Sequence, residues 1–89
     1  MRKLMMVVKY DEVEQIVRAC LEFKEKFDID MRCGRHSVDA FSFLGVFSFA
    51  GREVEVVPII REEAYDGAIN ELFERLKPYG AYWKEEVVA

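Results

Sequence analysis

Ser37-Val38-Asp39-Ala40-Phe41-Ser42-Phe43-Leu44-Gly45-Val46-Phe47-Ser48-Phe49 gathers four of the chain's seven phenylalanines around one serine. From Ser42 onward it is too hydrophobic for a loop and too short for a full helix, and Gly45 interrupts it. The reading is a short helix capped by Ser42, whose hydroxyl accepts from an exposed backbone N–H of the first turn. At 3.6 residues per turn the four rings cannot all point inward. Two or three belong to the core, and the rest face outward.

The flanking segments supply the partners for that helix. Leu4–Val8 is a short apolar run suited to a strand buried on both sides or at the centre of a sheet. Asp11 and Glu14 have capping-box spacing, although the box prefers Ser or Thr as its cap. Val13, Ile16, Val17, Cys20, Leu21 and Phe27 then recur at three- and four-residue steps, predicting one helix of about five turns. Asp28–Cys33 alternates polar and apolar as a half-buried strand does, Gly34-Arg35 makes a two-residue hairpin turn, and His36–Asp39 returns. After Gly51, Arg52–Val57 alternates again with Val54 and Val56 inward. A last helix is expected from about Glu62 to Lys77, with Glu62 and Glu63 favourable at its start. Ala64, Ala68, Ile69, Leu72, Phe73 and Leu76 form its stripe, and Pro78 ends it. Tyr79–Ala89 receives no assignment.

The predicted order is β-α-β-β-α-β-α, an α+β domain with helices on one face of a four-stranded antiparallel sheet. A ferredoxin-like β-α-β-β-α-β pattern fits almost as well if the short helix is a loop. The central segment resembles the serine-centred stretch of HPr, the small phosphocarrier of the bacterial phosphoenolpyruvate-dependent sugar phosphotransferase system. That family reads approximately S-V-N-x-K-S-I-M-G-V-M-S-L, and this chain gives S-V-D-A-F-S-F-L-G-V-F-S-F without a gap. The resemblance is specific in the middle third and covers roughly residues 2–77 at the level of pattern. It implies an HPr-like open-faced β-sandwich (βαββαβα), residues 1–89 forming one domain.

The resemblance carries further implications residue by residue. Ser42 matches the serine that a dedicated kinase phosphorylates in some members, while Phe41 stands where the family usually has lysine. Phe43, Leu44 and Phe47 match an exposed apolar docking patch, with Phe47 expected to be the most exposed. The family also carries G-I-H-A-R-P-A at the start of its first helix, with the histidine as phosphoryl acceptor. Counted back along the helix, Val13 falls at that histidine and Gln15 at the arginine, and the proline is lost. A member without phosphocarrier chemistry is implied, similar to the catabolite-repression paralogue that binds a transcription regulator.

Composition sets outer limits. Eighty-nine residues, 52% hydrophobic and 34% charged, make one compact domain. A net charge of −4 with scattered Lys and Arg argues against a nucleic-acid partner. No apolar run approaches the ~18–20 residues that span a bilayer, and Leu4–Val8 is shorter than a signal-peptide core. Membrane association is therefore not expected. Cys20 and Cys33 lack paired spacing and suit a reducing cytoplasm.

Other chemistry-bearing residues read as structural. His36, the only histidine, follows the hairpin turn with no identifiable partner. Cys20 and Cys33 lie on predicted core faces. The pairs Asp28/Asp30 and Glu53/Glu55 suit a solvated sheet face better than a cation site. Zinc spacing, a glycine-rich phosphate loop and a serine elbow are missing. No catalytic residue, metal or cofactor is implied, so the expectation is a non-enzymatic regulatory module. Its partner would be a phosphotransferase-system component or a transcription regulator, docked on the Phe43/Leu44/Phe47 patch. The alternatives are an oligomerising module that uses the patch as a homodimer interface, and a small-molecule binder on the sheet face.

Overall fold

The computed structural model describes residues 2–60 and 67–86. Its elements are β1 (Arg2–Val7), α1 (Val13–Leu21), β2 (Asp28–Cys33), β3 (His36–Asp39), α2 (Phe43–Phe47), β4 (Glu53–Ile59), α3 (Ala68–Leu76) and β5 (Tyr82–Glu85). They build an α+β structure on one five-stranded sheet of order β3-β2-β4-β1-β5, antiparallel throughout. The four-stranded expectation is corrected by β5. The tail left unassigned in the sequence pairs with β1, placing Leu4 opposite Trp83 and Met5 opposite Tyr82.

Alternation decides which face of the sheet is covered. Leu4, Met6, Ile29, Met31, Val54 and Val56 are buried and form one core with residues of α1, α2 and α3. The intervening residues Lys3, Met5, Asp30 and Glu55 are half-buried, and Arg32 is exposed, so the opposite face stays open. Of the two expectations for this apolar run, β1 meets the second: it lies inside the sheet between β4 and β5 but is buried on one face only, and Val7 is exposed. Gly34 adopts φ +60°, as the predicted hairpin turn requires, and Cys33 pairs with His36 across it. Pro58 lies past the stretch of β4 paired with β1, where its missing N–H costs little.

Both long helices are shorter than predicted. α1 begins after a 3-10 turn at Tyr10–Glu12, and its cap residue Glu12 makes no side-chain cap bond, so the Asp11–Glu14 box does not form. Beyond Leu21 the backbone tightens: Phe23 N–H donates to Cys20 and Lys24 N–H to Leu21. Phe23 and Phe27 still reach the core and stack at 5.2 Å, so the apolar stripe outlasts the helix that suggested it. At the other helix, Gly67 has φ +89° and caps α3, which rules out one continuous helix through that residue. The predicted opening at Glu62, Glu63 and Ala64 lies outside the described residues. Pro78 belongs to a 3-10 turn, Lys77–Tyr79, that carries the chain from α3 to β5. Arg75 grips the Glu22 carboxylate with both Nε and Nη2 (2.6–3.1 Å), tying α3 to the end of α1. That hydrogen bonding holds the Glu22 carboxyl below its ordinary range.

Candidate functional site

Asp39 starts the local structure around α2. Its carboxylate accepts from Phe41 N–H at 2.9 Å and its carbonyl from Ser42 N–H at 3.0 Å, turning the chain out of β3. Ser42 has extended backbone (φ −97°, ψ 114°), and its hydroxyl accepts from Gly45 N–H at 3.2 Å. The predicted serine cap is therefore present. Gly45 allows α2 to lie close to the sheet: a Cβ there would sit 3.2 Å from Val38 Cβ and 3.3 Å from Ser42 Oγ. Ser42→Ala is expected to destabilise the fold by about 0.5–2 kcal/mol in denaturant melts, with Ser42→Asp tolerated because aspartate also caps.

The close seat divides the aromatic segment. Val46 and Phe49 are buried and Phe41 packs against the core, whereas Phe43, Leu44 and Phe47 are 46%, 78% and 40% exposed. The expected outward trio is outward, but Leu44 and not Phe47 is the most exposed. Phe47 is partly covered by its neighbours, since its ring centroid lies 5.9 Å from Phe43 and 5.5 Å from Tyr10. Tyr10, 72% exposed, extends the patch onto the turn before α1. The sequence reading missed it. Its signal was an aromatic residue among Lys9, Asp11 and Glu12 that no helix stripe absorbs. With side chains of roughly 200 Å², these four expose on the order of 400 Å² in all, most of it apolar. That matches the largest patch of a typical monomer, which is often functional.

Val13, counted as the family's histidine position, is the first residue of α1 and is buried. A buried valine offers no nucleophile there. The exposed residues of this turn are Lys9, Tyr10 and Asp11, and the segment from Lys9 to Gln15 holds no histidine. His36 is exposed at the hairpin, on β3. Cys20 is fully buried, which pushes its thiol up to about 12, and Cys33 is half-buried against the core. Buried Cys20 lacks the electropositive, exposed setting of a reactive thiol.

One member of each carboxylate pair, Asp30 and Glu53, lies in an ion pair on the open sheet face. Glu53 accepts from the Tyr82 hydroxyl and sits 3.5 Å from Lys84 Nζ. Asp30 lies 3.8 Å from Arg32, and Lys3 is 3.1 Å from Glu86. Two shallow hollows, about 300 and 380 Å³, meet there at Lys3 and Met5. A third, about 470 Å³, opens between Phe23 and the Asn70–Arg75 stretch of α3. Among the described residues no three His, Cys, Asp or Glu side chains gather as a metal site, and no helix is long and apolar enough to cross a membrane. No protein-family model matches the chain, and no curated protein is significantly similar to it in sequence.

Proposed function

We propose that this chain is an HPr-like regulatory module that binds a protein partner through Tyr10, Phe43, Leu44 and Phe47 and has no phosphocarrier activity. One observation carries the reading: a serine-capped helix of five residues turns Val46 into the core and leaves Phe43, Leu44 and Phe47 in solvent. Folding does not account for three large apolar side chains held outward together, whereas a docking surface does. The order of elements through α3, β-α-β-β-α-β-α, agrees with what the resemblance implies and supports it. In this reading the chain is not an enzyme and works in the cytoplasm. The occupant is a phosphotransferase-system component or a transcription regulator that offers an apolar groove. Ser42, exposed beside the patch, is the regulatory phosphorylation site: a phosphate there would meet the unpaired N–H groups of the first turn of α2.

The test is an NMR titration at low micromolar protein with the first enzyme of the phosphotransferase system and the catabolite regulator from the same genome. Shifts centred on Leu44, abolished by Leu44→Asp, are expected with one of them. Absence of binding to both overturns the proposal. A second outcome concerns phosphoryl transfer. Val13 is buried, and the exposed turn before α1 offers no imidazole nitrogen to receive a phosphoryl group. Incubation with labelled phosphoenolpyruvate and the first enzyme should leave the chain unlabelled. Stoichiometric acid-labile label on His36 would contradict it.

A further inference from the structure

We draw no further inference here: the strongest candidate, the apolar surface patch of Tyr10, Phe43, Leu44 and Phe47 beside α2, belongs to the docking site already described, and nothing in the structure shows what covers it.

Discussion

Phe49→Ala is expected to cost about 3–5 kcal/mol, the usual loss for truncating a buried phenylalanine, while Leu44→Ser changes stability by no more than ~0.5 kcal/mol. The two residues are five apart in one segment and are similarly hydrophobic, so composition alone would rank them together. Phe49 follows α2, is 5% exposed and belongs to the common core; Leu44 is 78% exposed. Removing the Phe49 ring leaves a cavity that the surrounding strands and helices cannot collapse to fill. Replacing Leu44 opens no cavity, because its side chain already stands largely in water. A domain of this size has a total stability of only roughly 5–13 kcal/mol, so Phe49→Ala should shift the urea midpoint by a large fraction of its value. Equilibrium melts of both variants and of Phe47→Ser, expected between them, provide the check. A loss above about 3 kcal/mol at Leu44 would place the patch in the core.

The second large effect is expected at Trp83, where replacement by alanine should cost about 2–4 kcal/mol, less than for a fully buried tryptophan. Its ring is half-buried, lies 5.1 Å from Phe73 on α3 and takes the Arg2 guanidinium over its face at 4.4 Å. β5 has only four residues; Trp83 is its inward anchor, helped by buried Ala81 just before it. Without the indole the strand loses its hold on α3, so the ladder from Arg2–Glu85 to Met5–Tyr82 should open more often. Hydrogen exchange should then accelerate at amides shared by β1 and β5 and stay nearly unchanged between β2 and β3. Uniform acceleration across the sheet would mean that β5 is no separate unit of stability.

The contrast between these regions explains which parts of the fold were legible. The β2–β3 hairpin was read with its bounds because period-two alternation, a glycine turn and a short return strand all agree. The serine-capped helix was read because Ser42 sits at the start of a hydrophobic segment too short to be anything longer. β5 escaped because Tyr82-Trp83-Lys84-Glu85 offers one large apolar side chain to the core, too little for a visible period. α1 was overextended because Phe27 falls seven residues after Cys20, a helical spacing kept through backbone that has already tightened. For β1 the apolar run left burial on both sides and an interior place in the sheet open, because Met5 and Val7, though apolar, face the open side. Of the candidate site, Ser42 was named as a helix cap from the chain, and Phe43, Leu44 and Phe47 through the resemblance to HPr. Tyr10 was not, since only the packing of the turn before α1 against α2 brings its ring to Phe47.

The position of β5 also bears on how the molecule avoids self-templating. β1, Arg-Lys-Leu-Met-Met-Val, carries four consecutive apolar residues, and without β5 it would border the sheet with one side of its backbone unpaired. Long hydrophobic borders of that kind recruit other chains strand by strand and seed fibrils. Here the two strands left at the borders, His36–Asp39 and Tyr82–Glu85, have four residues each and carry charge. The C-terminal strand is thus a gatekeeper against aggregation, and weakening it should be felt first as lost solubility on prolonged incubation, before any loss of helix.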